Sequence, residues 1–140
     1  AIKAAEMCEA VIASTPAAAY EGDLVNDYWD SLVATKQFDK LRTALTAAVQ
    51  QGNRKLAALA QVKRGDMDKS NGKIQDALLD GYLRTAVFFG DVKEVLPEAL
   101  YKAAKCFEEL GQHAHVEKMR KRLLAEFPKD PYTKKIQAGT

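Results

Sequence analysis

Apolar residues recur three and four positions apart along almost the whole chain, the period of a helix with one buried face. Ile2, Ala5, Cys8 and Ile12 predict a first helix, ended before Pro16 because the residue preceding proline avoids the α region. Leu24, Val25, Tyr28, Trp29, Leu32 and Val33 mark a second. Leu41, Leu45, Ala48 and Val49 mark a third, closed by Gly52. Leu56, Leu59, Ala60 and Met67 predict a fourth, fraying into the polar stretch Asp68–Gly72. Ala77, Leu78, Tyr82, Thr85, Phe88 and Phe89 give a fifth, stopped at Gly90. Leu100, Ala103, Ala104, Phe107 and Leu110 give a sixth, with Gly111 as its C-terminal cap and Pro97 in the first turn, where a missing donor costs nothing. Val116, Met119, Leu123, Leu124 and Phe127 give a seventh, ended by Pro128. No β-alternation competes, so the expectation is an all-α chain of about seven helices.

Short links between these helices read as a run of hairpins, and the hairpins recur. The turns Lys36-Gln37-Phe38, Gly72-Lys73-Ile74 and Gly111-Gln112-His113 lie 36 and 39 residues apart. An apolar residue follows each at the same offset (Leu41, Ala77, Val116), and Trp29, Gly65 and Ala104 precede each at another. The segment Pro97–Pro128 resembles a tetratricopeptide repeat, whose period is about 34 residues. Ala103-Ala104 stand at that family's paired small positions, Phe107 at its aromatic, Leu110-Gly111 at its turn and Pro128 at its closing proline. Gly65, Gly72 and Ala77 match an earlier repeat, and Tyr28, Leu32, Phe38 and Leu41 a more divergent one. The ending Leu123–Pro128 followed by Pro131-Tyr132 is similar to repeats of bacterial cell-envelope proteins of the TolA-binding coordinator type. Arg120 departs from the pattern, as do Arg64 and Asp68, which stand where apolar side chains are usual; the fourth helix is thus shifted in phase or packs differently.

The resemblance implies one domain over residues 1–140, a right-handed superhelical stack of about three hairpins, with repeats near 20–52, 55–90 and 97–128 and residues 1–15 as a half repeat. Such hairpins bury their apolar stripes only against neighbours. The stack implies a concave groove lined by the first helix of each pair, suited to a peptide or partner protein. Its expected lining is Asp23, Asn26 and Asp30 from the second helix, and Tyr101, Lys105, Glu108 and Glu109 from the sixth. Tyr101 is either the anchor for a partner or a cover for a helix seam. Repeats that clamp chaperone C-terminal tails carry lysine and asparagine at these places; Asn26 fits, but Asp30 and Tyr101 do not, which argues against that role.

Composition adds three points. The net charge of +2 argues against a nucleic-acid binder, yet it hides an asymmetry. Residues 1–35 hold one base and six acids, whereas residues 111–140 hold seven bases and three acids. Opposite poles of this kind permit head-to-tail self-assembly, and the basic stretch Lys118–Arg122 with Lys129, Lys134 and Lys135 permits contact with nucleic acid or an anionic membrane surface. A protein-binding scaffold is the leading expectation, with these as alternatives.

No apolar run is long enough to span a bilayer. The chain opens at Ala1 in mid-helix, which reads as a processed or truncated piece, so compartment stays open between bacterial periplasm and cytoplasm. Cys8 and Cys106 lie on apolar faces and read as small hydrophobes. His113 and His115, two apart, do not share a helix face, so even with Glu109 and Glu117 they do not suggest a metal centre. No catalytic group, cofactor or metal is expected.

Overall fold

The computed structural model describes the backbone of residues 22–51 and 53–139 and the side chains of 25–50 and 53–139. The expected helix around Ile2–Ile12, and Cys8 with it, lie outside the described residues. Within them the chain is all-helical and has no strand. We number the helices α1 Gly22–Ala34, α2 Phe38–Gln51, α3 Arg54–Ser70, α4 (residues 74–88), α5 Leu96–Glu109, α6 His113–Glu126 and α7 Pro131–Gln137.

Three turns close the pairs α1–α2, α3–α4 and α5–α6, and they are built alike. Lys36, Gly72 and Gly111 take positive φ angles of 57°, 76° and 74°. Each donates its N–H to the carbonyl three residues back, and the next residue donates to the carbonyl five back: Gln37 to Leu32 at 2.9 Å, Lys73 to Asp68 at 2.8 Å, Gln112 to Phe107 at 2.9 Å. This paired bonding satisfies the last carbonyls of a helix by a left-handed residue. Glycine meets that need without a side-chain clash; Lys36 meets it at some strain. The stretch Asp68–Gly72, expected to fray, instead continues the helix through its first three residues to Ser70 and closes at the turn on Asn71 and Gly72.

Each helix packs on the next, and α1 also packs on α3 and α5 on α7. Trp29 and Leu32 of α1, Leu41 and Leu45 of α2, and Leu56 and Ala60 of α3 share one apolar cluster. Val62 of α3, Ala77 and Tyr82 of α4, and Ala99, Ala103 and Phe107 of α5 share a second. Leu96 and Leu100 of α5 meet Leu123 of α6 in a third, with Ile136 of α7 against it. Each leucine buried this way stabilises by about 2 kcal/mol. Helix α7 is one the apolar periodicity leaves out. Asp130 caps it, its Oδ1 accepting from the Tyr132 N–H at 2.9 Å, and Pro131 opens its first turn.

α4 is irregular. It starts as α-helix over Ile74–Asp76, widens to a π-helix over Ala77–Tyr82 and returns to α-helix over Leu83–Phe88. In the wide part the Leu83 N–H reaches back five residues to the Leu78 carbonyl. Side chains serve its other carbonyls: Gln61 Nε2 donates to Asp80 O, and Thr85 Oγ1 to Gly81 O. Gly81 there lies directly on Gly65 of α3, so that a methyl group on Gly81 would overlap the Gly65 backbone.

Candidate functional site

Of the first helices of the three pairs, α1 and α5 carry the expected groove residues and α3 carries none, and charged side chains link all three. Lys63 of α3, 4% exposed, puts its Nζ 2.5 Å from Asp30 Oδ1 on α1 and 3.4 Å from Asp66 Oδ2. Asp66 also accepts from the Tyr82 hydroxyl at 2.6 Å and from Lys102 Nζ of α5, 3.0 Å from each carboxylate oxygen. Lys102 completes the row by reaching Glu98 Oε2 at 2.7 Å. The order Asp30, Lys63, Asp66, Lys102, Glu98 alternates in sign across three helices, so each charge lies beside its opposite.

The row follows the spacing of the turns. Asp30 and Asp66 each stand six residues before the left-handed turn residue of their own pair, Lys36 and Gly72. Lys63 and Lys102 each stand nine before theirs, Gly72 and Gly111. The same lysine therefore reaches back to the same aspartate one pair earlier, twice over. Where the series would continue, Lys105 occupies the aspartate place and Asp27 the lysine place.

Lys102 in the row, and Tyr82 bonded to it through Asp66, hold their protons tightly. Burial weakens the hold of Lys102, but Asp66 and Glu98 outweigh it and raise its pKa above the ordinary lysine value. Burial, then the charge of Asp66 and the bond to it, raise the Tyr82 hydroxyl. Tyr132 is raised by burial first and by Glu98 second.

Asp23 lies in α1, with its side chain outside the described residues. Asn26 and Asp30 are neighbours on α1: Asn26 Nδ2 donates to Asp30 Oδ2 at 3.5 Å, while Asn26 Oδ1 is buried without a donor. Tyr101 is half-buried, its ring 5.3 Å from that of Tyr132 on α7, with Lys105 Nζ 5.7 Å from its centroid. Lys105 approaches Glu108 at 3.8 Å, and Glu109 approaches Lys69 of α3 at 3.6 Å. Tyr101, Lys105 and Glu108 thus form one set and Asn26 and Asp30 another, and the charged row, a ladder of ion pairs, starts from Asp30 and runs to α5. The apolar pattern passes over Lys63, Asp66 and Lys102; their shared offset from the turns is the signal that identifies them.

Among the described residues no three histidines, cysteines or carboxylates gather as metal ligands, and no helix is long and apolar enough to cross a membrane. His115 stacks on Phe107 with centroids 4.8 Å apart. Cys106 is fully buried, and burial raises its thiol. In the basic stretch, Arg122 pairs with Glu126 at 2.7 Å and Arg120 with Glu117 at 3.3 Å. No family model, no curated protein and no solved structure matches this chain.

Proposed function

We propose that this chain is a helical-repeat domain of the tetratricopeptide kind, a right-handed superhelical stack of about three hairpins, which binds a peptide or partner protein along the face of α1, α3 and α5. The observation that carries this reading is the recurring lysine–aspartate pair, formed at the same distance from each turn. A bond repeated at the interval of the turns supports stacked equivalent units, and it holds the first helices side by side as one continuous face.

On that face the ladder's middle members satisfy one another and leave little for a guest. The rim has more to offer. Asp30, with side-chain exposure of 53%, and the exposed Glu108 and Glu109 present carboxylates. Such a rim suits a segment bearing lysine or arginine.

The experiment is capture of a partner on the immobilised chain, comparing the wild type with Tyr101→Ala/Lys105→Glu, Glu108→Lys/Glu109→Lys and, as an off-face control, Lys118→Glu. Loss of capture in the first two at unchanged far-ultraviolet circular dichroism, with the control unaffected, supports the proposal. Capture that survives both face variants overturns it. Helicity lost in the Tyr101 variant assigns that ring to the α5–α7 seam, and the glutamate variant then decides alone.

A further inference from the structure

A separate cleft of about 500 Å³ opens between α2 and α4 over α3, in the size range of small-molecule sites. It is lined by Arg42 and Thr46 of α2, Gln61, Arg64 and Asp68 of α3, and Asp80 and Arg84 of α4. Arg64 and Asp68 are the residues that depart from the apolar pattern of the repeat. They wall an opening where apolar side chains would close one.

Three guanidinium groups, one from each helix, border this space, and their local bonds are weak. Arg64 makes a single long hydrogen bond, 3.4 Å to Thr46 Oγ1, and among the described residues has no carboxylate in ion-pair reach. Arg84 stands 4.0 Å from Asp80, and Arg42 turns to the exposed Asp39 at 3.2 Å. Asp68, four residues on from Arg64 along the same helix, stands one turn away and does not pair with it. An unpaired guanidinium and an unpaired carboxylate thus share one wall. Burial, followed by the charge of Asp76, raises the Asp68 carboxyl, and the charges of Lys73 and Arg42 offset this only in part. The ladder shows the contrast, since every lysine there lies within 3.0 Å of a carboxylate.

We propose that this cleft binds a small phosphomonoester carrying hydroxyl groups, its phosphate held by Arg42, Arg64 and Arg84 and a hydroxyl donated to Asp68. Guanidinium forks match phosphate oxygens, and a carboxylate accepts from a hydroxyl. A bare anion gains the first contact only and meets Asp68 and Asp80 as repulsion.

The test is a chemical-shift titration of the ¹⁵N-labelled chain at constant ionic strength, with inorganic phosphate and with glycerol 3-phosphate as probes. The expected result is saturable shifts on the cleft residues of α2, α3 and α4, with glycerol 3-phosphate the tighter ligand. Arg64→Gln should weaken it by about tenfold or more. Asp68→Asn should shrink its advantage over phosphate. Should Arg64→Gln lose helicity, Arg84→Gln carries the same reading. The proposal fails if neither probe gives saturable cleft shifts, if both arginine variants bind as the wild type does, or if the shifts centre on Lys118–Arg122. It also fails if glycerol 3-phosphate binds no tighter than phosphate.

Discussion

At its closest approach to α4, helix α3 presents bare backbone; toward α1 and α5 it presents charge beside its apolar contacts. At the first seam Gly65 and Gly81 bring two helices together until a single methyl would not fit, and the Tyr82 ring lies over Gly65. At the second, Lys63, Asp66 and Lys102 fill the space with ions that cancel one another. The first kind of contact gains from dispersion and cannot adjust, because backbone has no rotamer to change. The second spans a wider gap and tolerates exchange, since an ion pair must repay the water it displaces and an apolar pair of similar shape serves as well. The close seam therefore sets where α4 lies, and the charged seam links α3 to α1 and to α5 through side chains.

The largest expected effect breaks the close seam. Gly81→Val should cost about 3 kcal/mol or more, since the added atoms meet the Gly65 backbone and nothing flexible. Gly81→Ala is the stricter version, because alanine favours a helix by about 1 kcal/mol over glycine and must lose stability all the same. Urea unfolding measures both, and a Gly81→Ala chain as stable as the wild type would show that the two helices can separate freely.

Next comes the ladder's centre. Asp66→Ala leaves Lys63, Lys102 and the Tyr82 hydroxyl without their shared acceptor, for an expected loss of about 2 kcal/mol. Asp66→Leu combined with Lys102→Met should recover most of it. A double variant no better than Asp66→Ala would mean that the ions cannot be exchanged for apolar contact, against the distinction drawn above.

Alkaline pH probes the same seam without mutation. Lys102 and Tyr82 both bind their protons more tightly in the fold than in an unfolded chain, where lysine and tyrosine titrate near 10.4 and 10. The stability they add is complete below about pH 10 and is lost as pH rises beyond it. The urea midpoint should fall from about pH 10 upward, and less steeply in Lys102→Met and Tyr82→Phe. Identical slopes in all three chains would remove these groups from the account.

Much of this was readable beforehand. The helices from α1 to α6 follow the apolar period, and the turns at Lys36, Gly72 and Gly111 follow their spacing. The ladder escaped because a charged residue in an amphipathic helix reads as solvent-facing; only its offset from the turns sets Lys63 apart from any other polar position. The π segment left no trace, since a one-residue slip does not alter the apolar spacing enough to be read. Helix α7 did leave one, Asp130 before Pro131, but Pro128 and Pro131 together read as an ending. Arg64 and Asp68 read as faults in the repeat and are the wall of a cleft.

The smallest expected effect tests where the ladder stops being structural. Asp30 makes the same kind of bond as Asp66, yet its side chain is 53% exposed against 17%. Water competes for an exposed carboxylate, so the bond it forms adds little, whereas the lysine it meets is buried and still has Asp66 at 3.4 Å. Asp30→Asn should accordingly cost about 0.5 kcal/mol, a fraction of the loss at Asp66. A loss equal to that of Asp66→Ala would make Asp30 a full structural member, committed to Lys63 and unable to serve a partner. A small loss in urea unfolding, paired with weakened capture of a basic partner, would place Asp30 on the rim, where the same carboxylate is held by the fold on one side and open to a guest on the other.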